Sequence, residues 1–241
     1  MSSIARLQNA TIGYSGSPLM SDFNFSIEPG EFVAMVGPNG SGKSTIMKSL
    51  LGILPMLAGQ REIFGQQSPD NRKLEGQIAY IPQKMSLNRS VPLTVGEFFR
   101  LKGRGRHTPE EYLRALKMVD LAGLEGQSIH KLSGGQLQRV FMGFALLGQP
   151  RLICLDEATE GMDIKAQKTF YALLKNIVEV NRAALLLISH DISAVTEHAN
   201  RVVCVNRAVL FDGDPGSPQF HSCLHRIYGE ESHIHDHGTA H

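Results

Sequence analysis

The sequence has no tryptophan and only three cysteines, Cys154, Cys204 and Cys223, which form no C-x-x-C pair. Three thiols cannot all pair within one chain, so this pattern favours a reducing, cytosolic compartment over a secreted one. The formal net charge of +1 provides no overall field for nucleic acid, so none is expected as a partner. No apolar run approaches the roughly 20 residues of a membrane helix, and the N-terminal residues lack the apolar core of a signal peptide. We therefore expect any membrane association to come through a partner protein.

The remaining composition is typical of a soluble globular protein. Of the 241 residues, 42% are hydrophobic and 20% are charged, and this length suggests one or two domains. Alternating patterns and continuous apolar runs predict strands at 4–14, 22–27, 31–36, 61–65, 77–82, 152–156, 183–189, 201–205 and 208–211. Apolar residues at three- and four-residue steps, with capping residues before them, predict helices at 45–51, 110–119, 137–147 and 164–180. The sequence therefore predicts an α/β core with a largely helical insertion over 94–149.

Residues 37–44, called the phosphate loop below, match G-x-x-x-x-G-K-[ST], the phosphate-binding loop of nucleoside triphosphatases. Its glycines let the backbone turn tightly and point N–H groups at phosphate oxygens. Lys43 can reach the outer phosphates, and Ser44 offers a hydroxyl to Mg²⁺. The predicted helix that follows presents its positive N-terminal end to the phosphates. The expected phosphate-binding residues are Gly37, Pro38, Asn39, Gly40, Ser41, Gly42, Lys43, Ser44 and Thr45.

Two further segments carry polar groups suited to nucleotide chemistry. Ser133 can cap the helix predicted after it, and Gly134 and Gly135 would let an anion approach that helix end. Taken alone, the same three residues could equally be an ordinary Ser-Gly-Gly loop. A predicted apolar strand ends in Asp156 and Glu157. The aspartate is placed to hold Mg²⁺ and the glutamate to polarise an attacking water, whereas a solvated acidic turn would not follow so apolar a strand.

In this order, the phosphate loop, the segment Leu132-Ser133-Gly134-Gly135-Gln136 and the Asp-Glu strand resemble the nucleotide-binding subunits of ABC transporters. The resemblance extends to about residue 228. It implies a P-loop NTPase core with an antiparallel β subdomain and a helical insertion subdomain at about 84–149. Residues 229–241 would form a separate His-rich tail.

The resemblance also implies roles for single residues. Tyr14 would stack on adenine, although a core role is a close alternative, and Gln83 would sense Mg²⁺ and the γ-phosphate. Asp163 would belong to the loop after the catalytic Glu157. His190 would contact the γ-phosphate, although a lone histidine is more often structural. The catalytic set is then Glu157, His190 and Gln83, with Ser44, Gln83 and Asp156 around Mg²⁺.

The family's mechanism follows as an expectation. Two copies of the chain would pack head to tail, and each ATP would lie between one phosphate loop and the partner's Ser133, Gly134, Gly135 and Gln136. Integral membrane permease subunits would hold the dimer at the cytoplasmic face of the membrane. An extracytoplasmic metal-binding protein would deliver the cargo. A short permease helix would dock against the segment that follows Gln83.

The sequence departs from the family pattern at three places. Ala158 stands where proline usually follows Asp-Glu, and residues 160–162 are Glu-Gly-Met instead of the commoner Ser-Ala-Leu. Phe144 occupies a position that usually carries arginine. None of these changes removes a reacting group, so they concern turnover rate and loop rigidity more than activity.

The cargo is indicated by residues 80–85 and 91–95, which resemble the ATPases of zinc importers and, less closely, of manganese and iron importers. The tail independently carries potential zinc ligands, namely His233, Asp236, His235, His237 and His241. A plain tail or appended tag, adventitious metal binding and a regulatory zinc sensor remain alternatives for it. The basic run over 100–107 is interpreted as a solvated loop, with contact to lipid head groups as the alternative.

Two other classes of protein compete with the importer hypothesis. A soluble ABC ATPase of DNA repair or translation would usually carry two cassettes or a long coiled-coil insertion, and the interval 44–133 has no sustained heptads. A nucleotide-dependent interaction module without catalysis would not need Lys43, Asp156, Glu157 and His190 all intact. We therefore expect an ATP-hydrolysing subunit of a metal importer, with zinc as the first cargo and manganese or iron as the alternative.

Overall fold

The computed structural model describes residues 3–14, 16–67, 74–83, 92–102, 107–159 and 162–229. These residues build two sheets, one parallel at its centre and one antiparallel. The strands are β1 Ala5–Tyr14, β2 Ser17–Ile27, β3 Phe32–Val36, β4 Ala58–Ile63, β5 Gln66–Gln67, β6 Ile78–Ile81, β7 Leu152–Asp156, β8 Ala184–Ile188, β9 Arg201–Val205 and β10 Val209–Gly213. The helices are α1 Lys43–Leu50, α2 Val95–Arg100, α3 Pro109–Met118, α4 Gly134–Leu146, α5 Ile164–Asn181, α6 Ile192–His198 and α7 Pro218–Tyr228.

The six-stranded sheet has the order β10-β9-β3-β8-β7-β6. Its inner strands β3, β7 and β8 are buried along their whole length, which explains their continuous apolar sequences. The register pairs Met35 with Ile188 and Asp156 with Ile188. The carboxyl ends of β3, β7 and β8 therefore meet at one edge of the sheet, where ligands of such folds commonly bind.

The second sheet has the order β2-β1-β4-β5 and is antiparallel throughout. The sequence predicted a strand at 61–65, whereas β4 covers Ala58–Ile63. Phe64 and Gly65 have φ angles of 52° and 76°, so they turn the chain into β5 instead of continuing the strand. Gly59 fits against β1 because a Cβ at this position would come within 2.5 Å of the carbonyl oxygen of Asn9.

Helices α2, α3 and α4 lie between β6 and β7 in the chain, and a threonine or serine caps each of them. Thr94, Thr108 and Ser133 all form reciprocal capping boxes with the residue three positions later. The predicted start of α3 at Thr108, with Pro109 in the first turn, is confirmed. Among the helices of the described residues, α6 and α7 were not predicted, and α2 was covered only by the general helical prediction for 94–149. Within the described part of the chain, no helix is both long and apolar enough to cross a membrane.

The hydrophobic core lies in layers on both faces of the six-stranded sheet. One large cluster joins β7 and β8 to the helices α2, α3, α4 and α5. A second joins β3 and α1 to the antiparallel sheet. A smaller one holds α7 against β9 through buried side chains that include Cys204, Cys223 and Phe220. The predicted α/β fold, with its antiparallel sheet, is confirmed.

Candidate functional site

The phosphate loop connects β3 to α1 and wraps the N-terminal end of that helix. Gly37 and Gly42 have φ angles of 152° and 110°, which side chains rarely permit. A Cβ on Gly37 would also come within 2.0 Å of the carbonyl oxygen of Val205 in β9. Arg207 anchors the loop from the same side, since its N–H donates to the carbonyl oxygen of Ser41 at 2.9 Å. The loop is therefore fixed by its neighbours and by its glycines.

Lys43 is buried inside the loop, where its ammonium donates to the carbonyl oxygens of Gly37 at 2.7 Å and Pro38 at 2.8 Å. Burial lowers the pKa of Lys43, and the carboxylates of Glu157 and Asp156 oppose that shift. Both carbonyl bonds hold the ammonium inside the loop, where a bound phosphate would come within its reach.

The hydroxyl of Ser41 tests whether the loop fits a phosphate. Its Oγ is buried and has no hydrogen-bond partner among the described residues. Buried polar atoms are nearly always satisfied in native proteins, so this donor calls for an acceptor. A phosphate oxygen supplies one, and the helix N-terminus beside it favours the negative charge.

A hydroxyl and a carboxylate meet beside the loop as oxygen donors suited to Mg²⁺. Ser44 Oγ donates to Asp156 Oδ1 at 2.9 Å, which connects the first turn of α1 to the last residue of β7. Burial raises the pKa of Asp156, while the bond from Ser44 acts in the opposite direction. Hard divalent cations prefer such oxygen ligands, so the donor chemistry fits the metal.

Glu157 lies next to Asp156 and is contacted by two of the predicted site residues. His190 Nε2 lies 2.8 Å from Glu157 Oε1, and the amide of Gln83 donates to Glu157 Oε2. Glu157 adopts a left-handed backbone conformation with φ of 52°, and its N–H donates to the carbonyl oxygen of Ile188. This turn directs the carboxylate away from the sheet and towards the loop, as a base acting at the end of a phosphate chain requires.

Tyr14 borders the outer end of this site. A pocket of about 520 Å³ runs from Tyr14 and Leu19 along the phosphate loop to Gln83 and Glu157. Tyr14 is 52% exposed, so its ring face remains open for stacking, and its hydroxyl lies 3.4 Å from Thr45 Oγ1. A pocket of this volume and lining can hold a nucleotide with its base at Tyr14 and its phosphates at the phosphate loop.

A second pocket of about 470 Å³ continues the first, with which it shares Asn39, Gln83 and Glu157. Its remaining lining residues are Thr159, Gln167, Ser189, His190 and Asp191. The two pockets together place residues 39–45 of the predicted phosphate-binding set and the predicted hydrolytic residues around one continuous cleft, whereas Gly37 and Pro38 line neither pocket.

Ser133, Gly134, Gly135, Gln136 and Asp163 form a separate group in the described structure, because none of them lines either pocket. Ser133 caps α4, and Asp163 caps α5 by accepting the N–H of Ala166 at 2.8 Å. The two helix ends are adjacent, since a Cβ on Gly135 would lie 3.7 Å from Ala166 Cβ.

A larger cleft of about 640 Å³ lies between the two sheets, but both of its guanidinium groups are already paired. Arg6 is paired with Glu62 at 2.6 Å, and Arg201 is paired with Asp212 at 2.7 Å. Because paired guanidinium groups offer little to an anion, the charges favour the phosphate-loop cleft as the nucleotide site.

The departures from the family pattern have different structural settings. Ala158 is buried, and Phe144 packs on Phe98 with ring centroids 4.6 Å apart. Lys102 donates to the carbonyl oxygens of Phe144 and Ala145, so a cation from outside α4 stabilises the C-terminal end of that helix.

Several predictions lie outside the described residues, namely those on 84–85, 91, 103–106, 160–161 and 230–241.

Several residues of this region were not predicted from the sequence, with Thr159 and Ser189 of the second pocket among them. Leu19 lines the nucleotide pocket beside Gly42, and its apolar side chain gave no chemical signal. Gln167 donates to the carbonyl oxygens of Thr159 and Met162 from one helical turn after Asp163, a spacing that could have identified it. Asp191 caps α6, and its place directly after His190 was a detectable helix-start signal. Tyr171 lies within the helix predicted at 164–180, and its residue type alone indicates no role beyond the core.

Comparisons with known proteins find similarity over most of the chain. A family model described as "ABC transporter" matches residues 20–160. The chain is 37% identical over 230 residues to the "Zinc import ATP-binding protein ZnuC" of Ruegeria sp. (strain TM1040), covering 95% of this chain and 88% of that protein. It is 39% identical over 215 residues to the protein of the same name from Paracoccus denitrificans (strain Pd 1222), covering 89% and 80%.

Two solved structures have a fold similar to that of this chain. The structure of cbiO1 from Clostridium perfringens, described as part of the ABC transporter complex cbiONQ, matches with a TM-score of 0.81 at 24% identity, covering 95% of this chain and 96% of that one. A structure described as the ATP binding subunit of an ABC transporter matches with a TM-score of 0.76 at 26% identity, covering 88% and 90%.

Proposed function

The chain belongs to the ABC transporter family, whose ATP-binding proteins are ATPases, and on this premise we propose that it hydrolyses ATP to drive the import of zinc. The contact of His190 and Gln83 with Glu157 beside the phosphate loop carries the ATPase part of this proposal. The zinc part is supported by the full-length similarity to proteins named as zinc import ATP-binding proteins.

ATP would bind along the cleft with adenine at Tyr14 and its phosphates in the phosphate loop. Lys43 would exchange its carbonyl bonds for phosphate oxygens, and Ser41 Oγ would gain the partner that it lacks among the described residues. Ser44 and Asp156, with Gln83, would hold Mg²⁺, which neutralises charge on the phosphates when bound.

Hydrolysis would use the pair of residues at the carboxyl ends of β7 and β8. Glu157 would orient a water molecule and accept its proton as the oxygen attacks the terminal phosphorus. His190 would hold the Glu157 carboxylate in place and reach the γ-phosphate. ADP leaves as the bond between its β-phosphate oxygen and the terminal phosphorus breaks, and the products are ADP and inorganic phosphate.

The full site would require a second copy of the chain. In the proposed head-to-tail dimer, Ser133, Gly134, Gly135, Gln136 and Asp163 of one copy would cover the ATP of the other. Their location outside the cleft of their own chain supports this arrangement. ATP binds the closed dimer more strongly than the open one, so binding and hydrolysis would alternate the two states.

The dimer would work at the cytoplasmic face of a membrane, attached to integral permease subunits and supplied by an extracytoplasmic metal-binding protein. We propose that the nucleotide-binding domain spans 1–228, with its helical subdomain at about 84–149. A short permease helix would dock on the segment after Gln83. The tail at 229–241 would lie outside the domain, with zinc sensing as the role to be tested.

Growth on depleted medium tests the cargo. Cells lacking this chain should stop growing when zinc is chelated, and added zinc salts should restore growth. Rescue by manganese or iron salts at equal concentration, with no rescue by zinc, would replace zinc by the alternative cargo. Rescue by no metal salt would contradict the metal-import proposal.

A further inference from the structure

The hydroxyl of Tyr171 lies between the two loops that carry Glu157 and His190. It is 2.9 Å from Ser189 Oγ and 3.4 Å from Thr159 Oγ1. Ser189 directly precedes His190, and Thr159 follows Glu157 by two residues. A single phenol therefore contacts both loops of the hydrolytic pair without contacting either reacting side chain.

The bond to Ser189 continues into the backbone beyond His190. Ser189 Oγ accepts the N–H of Asp191 at 3.0 Å, and Asp191 caps α6 through Ala194. Since the Ser189 hydroxyl contacts both Tyr171 and the N–H of Asp191, the backbone on both sides of His190 is held in place. This is the geometry expected of a support that fixes the direction of a side chain.

Tyr171 is itself fixed in position. It is 1% exposed, its ring stacks on His198 at a centroid distance of 5.9 Å and an interplanar angle of 13°, and it meets Phe170 edge-on. Burial raises the pKa of Tyr171, so the phenol keeps its proton as a hydrogen-bond donor. A buried hydroxyl costs free energy unless it is bonded, and this one is bonded only to the two loops among the described residues.

Gln167 strengthens the same attachment from one helical turn before Tyr171. Its amide donates to the carbonyl oxygens of Thr159 at 3.4 Å and Met162 at 3.3 Å. Residues four apart lie on one face of a helix, so α5 presents two polar side chains to the loop after Glu157. The other buried residues of α5 are apolar, so Gln167 and Tyr171 are its polar contacts with this loop.

We propose that Tyr171 is a positioning residue that holds Glu157 and His190 in register through its hydroxyl contacts with Thr159 and Ser189. This inference rests on the proposed ATP hydrolysis at Glu157. Rate depends steeply on the placement of catalytic groups, whereas nucleotide binding in the phosphate loop does not use this hydroxyl. Loss of the hydroxyl should therefore lower kcat and leave the KM for ATP nearly unchanged.

The test is Tyr171→Phe, which removes the oxygen and keeps the ring contacts with His198 and Phe170. ATP turnover is measured on the full chain co-purified with its membrane partners, alongside the melting temperature. We expect kcat to fall about tenfold and the KM for ATP to stay within about twofold. Tyr112→Phe on α3 is the matched control, since it removes a phenol oxygen away from the cleft and should keep wild-type turnover.

The double variant Tyr171→Phe/Ser189→Ala separates positioning from general destabilisation. If the hydroxyl acts through both Ser189 and Thr159, the double variant should lose less turnover than the product of the two single losses, because each single variant already lacks the bond between Tyr171 and Ser189. Should Tyr171→Phe melt below the assay temperature, Ser189→Ala removes the same bond from the other side, together with the acceptor of the Asp191 N–H, and should also lower kcat while the KM for ATP stays nearly unchanged.

Two outcomes would overturn the proposal: a Tyr171→Phe enzyme with kcat within twofold of wild type, or losses that multiply in the double variant. Glu157→Gln, run in the same assay, distinguishes this failure from failure of the proposed function. If Glu157→Gln abolishes turnover and Tyr171→Phe does not, the ATPase assignment stands and only the positioning role is lost.

Discussion

His190 Nε2 lies 2.8 Å from Glu157 Oε1, although the two residues are 33 positions apart in the chain. Strands β7 and β8 bring them together by pairing Asp156 with Ile188, so each residue leaves the sheet at the same edge. The Glu157 side chain is 16% exposed and that of His190 is 42% exposed. A base in contact with solvent but held by a neighbour is suited to activating a water molecule.

Lys43→Ala should weaken ATP binding. A buried ammonium bonded to two carbonyl oxygens is already oriented for phosphate, and a charge-assisted hydrogen bond contributes about 1.5–3 kcal/mol. We expect the Kd for ATP, measured by calorimetry, to rise about tenfold to a hundredfold. Lys175→Ala removes an exposed lysine of α5 as the matched control. Unchanged affinity in Lys43→Ala would contradict the placement of the phosphates.

Tyr14→Ala should lower affinity for ATP more than affinity for inorganic triphosphate, because only ATP has a base to stack. Stacking of a base on an aromatic ring is worth about 1–3 kcal/mol, so the Kd for ATP should rise about fivefold or more. Tyr14→Phe keeps the ring and should bind like wild type. Equal losses for ATP and triphosphate in Tyr14→Ala would indicate a structural role for Tyr14.

Gly135→Ala should separate folding from catalysis. Gly135 lies in the first turn of α4, and a Cβ there would meet only Ala166 at an ordinary contact distance. Alanine in a helix is favoured over glycine by about 1 kcal/mol, so the variant should melt no lower than wild type. In the proposed dimer this end of α4 covers the partner's ATP, so the added methyl group should disturb that contact and ATP turnover should fall about tenfold.

Gly126→Ala serves as the control for this variant. Its site is open and exposed in the helical part of the chain, and its φ is not in the left-handed range. Turnover in Gly126→Ala should match wild type. Full turnover in Gly135→Ala would mean that α4 does not cover a partner's nucleotide.

Lys102→Met should reveal the effect of a buried cation on stability at alkaline pH. Burial lowers the pKa of Lys102 to about 8, below the value of about 10.4 for an unfolded chain. Between these values the unfolded state binds more protons, so the stability of wild type rises with pH. Relative to Lys102→Met, wild type should gain about 1–2 kcal/mol from pH 8 to pH 10, allowing for partial exposure.

Chemical denaturation at each pH measures the difference in unfolding free energy between wild type and Lys102→Met. Ionisable groups that both proteins share contribute equally and cancel from this difference. The bonds from Lys102 to Phe144 and Ala145 remain possible for a neutral amine, so they do not reverse the sign. A difference that stays flat between pH 8 and pH 10 would contradict the burial of this charge.

The predictable parts of the site are those with local sequence rules. The phosphate loop, the caps at Thr108, Ser133 and Asp163 and the buried strands follow from residue type and spacing over a few positions. The Glu157–His190 contact could be expected only through the family resemblance. Its geometry depends on the order of the strands, which is a long-range property.

Tyr171 illustrates what local rules could not provide. Its sequence neighbours describe an amphipathic helix, in which a buried aromatic residue needs no further explanation. Only the pairing of β7 with β8 brings Thr159 and Ser189 to its hydroxyl. Leu19 was missed for a related reason, because an apolar residue at a nucleotide pocket resembles any other residue of a strand.

Uptake of radioactive zinc tests the central claim most directly. Cells that lack this chain are complemented with wild type or with Glu157→Gln, which removes the proposed base and should lower hydrolysis by about 10²–10⁴ while ATP still binds. Zinc uptake restored by wild type and not by Glu157→Gln is the result expected of a zinc-import ATPase that works through Glu157. Equal uptake with both, or normal uptake without the chain in cells that have no second importer, would contradict it.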